Sequence, residues 1–335
     1  MPAISHPTLA WIGFIALILF LLAVDLGLVH RGQGRMSTVS ALRWTAVWIV
    51  ISLAFSGVVY LLYQGPWGRE LSAGLPKGME TLDGKDAVFK YLTGYLIEKL
   101  LSLDNIFVIA VILSAFRVPE ESMHRVLYWG ILGALILRGV MIGAGTAALR
   151  EFHWLIYPLG AVLIWTAYKM LRAGEDGDEV DVDKNPLVRL ARLVFPVAPP
   201  KNPGEFFTRV DGKLAITPVF LALLAVEASD VLFAVDSVPA IFAVTLDPFI
   251  VFTSNIFAIL GLRSLFFALQ SMLGKFRLLK PALAGILAFV GIKMLISSHV
   301  RVPPLLSLLV IVVAVSAAII LSVVTERKSE QPPQP

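Results

Sequence analysis

Apolar runs of roughly 20 residues dominate this chain, parted by short polar stretches. Nine can be drawn: 8–29, 40–63, 91–116, 123–148, 154–171, 215–245, 249–272, 280–299 and 304–324. Each is long enough, as a helix, to cross a bilayer core about 30 Å thick. The pattern predicts an all-α polytopic membrane protein with about nine transmembrane helices. The first run has no basic segment before it and no small-residue cleavage site after it, so it reads as an uncleaved span.

Polar residues inside the apolar runs carry the chemistry. Glu98 and Asp104 lie in YLIEKLLSLDNIFVIAVILSAF, and Glu227, Asp230 and Asp236 lie in LLAVEASDVLFAVDSVPAIFAV. An ionised acid at mid-membrane costs about 2.5–3.5 kcal/mol even on the lenient insertion scale. Five of them predict something cationic between the helices, a metal ion or protons. Glu98 also neighbours Lys99, and a plain pairing there is the competing reading. Asp25, near the end of its span, reads equally as an entry residue or as the partner of a basic group.

Composition narrows the class. The chain is 57% hydrophobic and 16% charged, too apolar for a soluble protein of this length. It has no cysteine, which excludes disulfides, thiolate metal sites and cysteine redox chemistry. The net charge of +4 follows topology and is no nucleic-acid signature. With the N-terminus outside, the inner segments hold 17 Lys and Arg and the outer ones six. The positive-inside rule therefore predicts N-out, C-in, in what reads as a bacterial inner membrane. The longest loop, 173–214, is then cytoplasmic; its acidic run GEDGDEVDVDKNP and Pro-rich FPVAPPKNPG read as a solvated linker.

The chain repeats itself. GILGALILRG (130–139) resembles NIFAILGLRS (255–264), with Arg138 over Arg263. PLGAVLIWTAYKML (158–171) resembles ALAGILAFVGIKML (282–295), with Lys169 over Lys293. Upstream, Glu98-x5-Asp104-Asn105 stands over Asp230-x5-Asp236-Ser237. Two three-span units that enter from opposite sides make a 3+3 inverted repeat, a plan whose sites lie at the unit interface. The organisation read from this is 1–90, two spans and an outer loop; 91–172, the first unit; 173–214, the cytoplasmic loop; 215–299, the second unit; and 300–335, a last span and tail. Arg138 and Arg263 read as internal counter-ions, Lys293 as a support residue.

EKLLSLDNIFV, the following RVP, EASDVLFAVDSVPAIFAVT and the opening LLAVDLGLVHR resemble the signature segments of the TerC family of integral membrane proteins. The likeness runs from about residue 10 to 324. It implies a divalent-cation exporter with manganese as substrate, and a link to tellurium resistance. It puts Asp25, Glu98, Asp104, Glu227, Asp230 and Asp236 at or near the ion path.

The residues agree with a hard ion. Mn²⁺ and its like prefer carboxylate, amide and backbone oxygens, and Asn105, Ser102, Ser229 and Ser237 accompany the acids. All five histidines lie at span ends or in loops, which argues against a central zinc or copper site. Carboxylates six residues apart are about 240° apart around a straight helix. Either neighbouring helices complete the site or the helices unwind, near Pro239 and near Asp104. Export against an inside-negative potential costs about 4.6 kcal/mol per 100 mV for a divalent ion. With no GxxxxGK[ST] loop, exchange for protons is the expected driving force. The expectation is thus a transporter and not an enzyme, with no permanent cofactor; its partners are a divalent cation, protons and the bilayer, with homo-oligomerisation left open. A membrane assembly factor or an exporter of another small cation is the alternative.

Overall fold

The computed structural model describes residues 6–29, 37–72, 82–172, 185–202, 204–210, 212–270, 279–297, 300 and 302–329. Helices occupy all nine apolar segments: α1 (His6–Val29), α2 (Thr38–Gln64), α4 (Gly84–Ala115), α5 (Glu120–Glu151), α6 (Ile156–Arg172), α8 (Pro218–Phe242), α9 and α10 (Pro248–Ile259 and Leu262–Gln270), α11 (Leu279–Ile296) and α12 (Pro304–Ser329). Six helical stretches among the described residues are long and apolar enough to cross a membrane: those in α1, α2, α5, α8, α9 with α10, and α12.

Local chemistry sets the helix starts. The side chains of Ser37, Asp83, Thr217 and Asp247 each accept a backbone N–H at the first turn of α2, α4, α8 and α9, removing donors that a helix start leaves open. Pro218 and Pro248 stand at first helical positions, where a missing N–H costs nothing. The cap at Asp83 starts α4 seven residues before the apolar run suggests. The loop before it holds a short helix, α3 (Pro66–Ser72), with Leu71 and Ser72 buried.

The helix break falls elsewhere than the sequence predicts. Both α4 and α8 are helical throughout; Pro239 lies near the end of α8, where only one backbone bond is forfeited. The interruption is between α9 and α10, at Gly261 with φ +80°, a conformation open to glycine at little cost. A Cβ there would stand 2.7 Å from the Trp48 ring, so the turn also needs the missing side chain.

The loop before α8 is not merely a linker. It contains α7 (Pro186–Val194) and an antiparallel hairpin of β1 (Phe207–Val210) and β2 (Lys213–Ile216), with Phe207 opposite Ile216. Val188 and Ile216 are buried against Val219 and Ala222 at the start of α8. The acidic run at 173–184 lies outside the described residues.

Around α4 the core divides in three. Aromatic rings of α1, α2, α4 and α9 interlock on one side, with Phe55 and Phe257 centroids 4.6 Å apart. The α6–α11 pair, with parts of α4 and α8, forms a second cluster. Gly160 and Gly291 bring those two helices to backbone contact: a Cβ on Gly291 would stand 2.9 Å from the Gly160 carbonyl oxygen. The third joins α4, α5, α7 and α8.

Candidate ion site

Arg138 is the hub. It comes from the middle of α5, is 1% exposed, and meets groups from two other helices. Its Nη1 pairs with Glu98 of α4 and donates to Ser237 Oγ at 3.2 Å. Its Nη2 and Nε face Asp230 of α8, at 3.1 and 3.4 Å. Behind Glu98, the Asn255 amide of α9 donates to the second carboxylate oxygen at 3.0 Å. A planar guanidinium supplies several donors in a fixed fork, so one arginine can hold two carboxylates.

Helical spacing explains which acids join this cluster. Asp230 and Ser237 are seven apart and Glu227 and Asp230 three apart, so these share a face of α8; Asp236 is rotated about 240° from Asp230. Because α8 does not unwind, Asp236 faces α6 instead, where it accepts from Thr166 Oγ1 at 2.7 Å. Glu227 lies against α5, and a Cβ on Gly133 would fall on its carboxylate. That glycine makes the room.

The remaining candidates occupy separate places. Asp25 pairs with Arg263, Oδ2 to Nη2 2.9 Å, and accepts from the same guanidinium through its carbonyl at 3.0 Å. Lys293 donates to Ser307 of α12 at 2.9 Å. Asn105 is buried. Ser102 is 0% exposed, and its Oγ has no hydrogen-bond partner among the described residues; the same holds for Asn255 Oδ1. Asp104 lies within α4, and its side chain is outside the described set. Among the described residues no group of three or more His, Asp or Glu is arranged to hold a metal ion.

Two contributors, Asn255 and Thr166, are absent from the sequence reading, and a third, Lys99, departs from it. Asn255 sits in the polar triplet Thr253-Ser254-Asn255 of an apolar span, which is a usable signal. Thr166 carries none. Lys99 turns away from Glu98: its ammonium donates to the carbonyls of Ala258 and Leu260, at 3.1 and 3.4 Å. Those carbonyls lie at the interrupted end of α9, where a cation meets the negative pole of the helix dipole. The oxygens around Arg138, those of Glu98, Asp230 and Ser237 that it engages and Ser102 Oγ and Asn255 Oδ1 that have no partner among the described residues, suit a hard cation in chemistry.

Long apolar helices around a buried ionic cluster define a polytopic helical membrane protein with a charged interior. The model of the integral membrane protein TerC family matches residues 83–330, and the chain belongs to that family. It is similar to the "Uncharacterized membrane protein STKORF319" of Myxococcus xanthus, 47% identical over 97% of this chain and 95% of that one. It also resembles the "Putative membrane-bound redox modulator Alx" of Escherichia coli strain K12, 42% identical over 92% of each chain. A Rickettsia bellii membrane protein is 37% identical over 94% of this chain and 97% of its own. No solved structure matches the chain.

Proposed function

We propose that this protein exports a hard divalent cation, manganese foremost, from the cytoplasm in exchange for protons. The observation that carries the reading is the gathering of Glu98 and Asp230, from α4 and α8, on one buried arginine. Ionisable groups inside apolar spans are rare and costly, and in membrane proteins they mark ion paths. A site whose counter-charge is a side chain can release its carboxylates to another cation when that side chain moves. Asn255 and Ser102 then offer neutral oxygens beside them.

In this reading nine spans cross a bacterial inner membrane with the N-terminus outside, and residues 91–172 and 215–299 form the inverted repeat. The close approach of α6 and α11 at Gly160 and Gly291, in the third members of the two units, supports that plan. So does the burial of both matched arginines, each on a carboxylate. The Escherichia relative is named for redox modulation; a chain without cysteine has no thiol chemistry of its own with which to perform it.

A membrane assembly factor is the second reading, favoured by the saturation of Glu98 and Asp230 by Arg138, as a static charge cluster requires. Cell manganese separates the two. Cells expressing the protein should hold less manganese than cells expressing Asp104→Asn at equal membrane abundance. Equal contents would refute export.

A further inference from the structure

Outside the candidate membrane spans, the α7–hairpin segment presents an apolar surface that the ion site does not explain. Leu187, Leu190, Leu193 and Val194 of α7 are exposed, Leu193 at 83%. At 100° per residue, Leu187, Leu190 and Val194 fall on one side of the helix and Arg189 and Arg192 on the other. The hairpin beside it exposes Phe207, Val210 and Leu214. Such a surface in water is unfavourable, and large exposed apolar patches mark binding surfaces.

We propose that α7 and the hairpin lie along the membrane surface and bind anionic lipid headgroups, with the leucine face of α7 in the acyl boundary. Three observations choose lipid as the occupant. First, α7 is nine residues long, about 13 Å, far too short to cross a 30 Å core. Second, Val188 anchors it to Ile216 and Val219 at the mouth of α8, which is where a spanning helix leaves the bilayer; the nearest apolar phase is the membrane itself. Third, α7 carries Arg189 and Arg192 and no acid, and the two hairpin strands add Arg209 and Lys213, again with no acid. An apolar face flanked by arginines is the composition of helices that rest in the interface and attract anionic lipid.

Because the chain has no cysteine, Leu190→Cys supplies a single site for a nitroxide label. The full-length protein is placed in nanodiscs of phosphatidylcholine, alone or mixed with phosphatidylglycerol. The label should relax strongly with oxygen and weakly with a water-soluble nickel chelate. Phosphatidylglycerol should deepen it, and high salt or the Arg189→Gln/Arg192→Gln pair should remove that gain. Nickel access equal to that of a label at Lys201→Cys would overturn the proposal, as would protection from both reagents, which means cover by protein. Deep insertion with no response to phosphatidylglycerol would overturn the headgroup part. Val194→Cys, on the same face, serves as an independent second site should Leu190→Cys fail to fold.

Discussion

Arg138 and Glu98 form an ion pair in which each side chain is only 1% exposed, and Asp230 shares the same guanidinium. Removing one member of a buried pair leaves the other charge uncompensated, a loss of roughly 3–5 kcal/mol. Arg138→Gln strands two carboxylates, whereas Glu98→Gln leaves Arg138 with Asp230. The arginine variant should therefore be the less stable of the two. Thermal unfolding of the purified proteins in detergent gives the comparison, and an Arg138→Gln protein that melts with the wild type would contradict it.

The break in the seventh predicted span rests on Gly261. Alanine there meets a positive φ and the Trp48 ring together, and a strained backbone of this kind costs about 1–3 kcal/mol. Trp48→Ala removes the steric part and leaves the backbone part. Gly261→Ala should thus lower stability, and Trp48→Ala should not make it worse by its own full amount. Additive losses in a double-mutant cycle would show that ring and turn do not interact.

Asp247 predicts a pH effect. It caps α9 through Phe249 and Ile250 N–H and accepts from Tyr63 Oη at 2.7 Å. Burial raises its carboxyl above the ordinary value, against the Tyr63 hydrogen bond, the backbone donors and the Lys90 charge, which pull it down. A folded value above the unfolded one means the folded chain holds the proton more tightly. This group's contribution is therefore full below the unfolded value, about 3.9, and is lost as pH rises through the folded one. Melting curves of wild type and Asp247→Asn across that window should differ in slope, with the asparagine protein flatter on this account. Parallel curves would assign the pH dependence to other groups.

How far the sequence could be read depends on whether a signal is local. Runs of 20 apolar residues dictate membrane helices whatever their neighbours, so all nine segments came out helical. Arg138 and the acids were visible because a charge in an apolar run has no bland local explanation. The rest needed three dimensions. Glycine is common within membrane helices, so Gly261 gave no hint that its span is divided and those carrying Asp104 and Asp236 are not. Lys99 sits beside Glu98 in sequence, yet a rotation of about 100° per residue sends it to another helix. The hairpin at 207–216 did have a marker, the Asp211-Gly212 pair between short apolar stretches, a strong two-residue turn signal. Surrounding prolines and charges outweighed it and made the loop read as a linker.

With all three groups ionised, Glu98, Asp230 and Arg138 sum to a single negative charge. One proton would bring that sum to zero, whereas a doubly charged ion would overshoot it by one. If the guanidinium withdraws, two carboxylates remain, and a divalent ion alone restores electroneutrality. On the export reading, arginine and metal are therefore not equivalent occupants: with Arg138 in place the two carboxylates keep one negative charge, which a single proton can cancel, and with a divalent ion in its stead they would keep none.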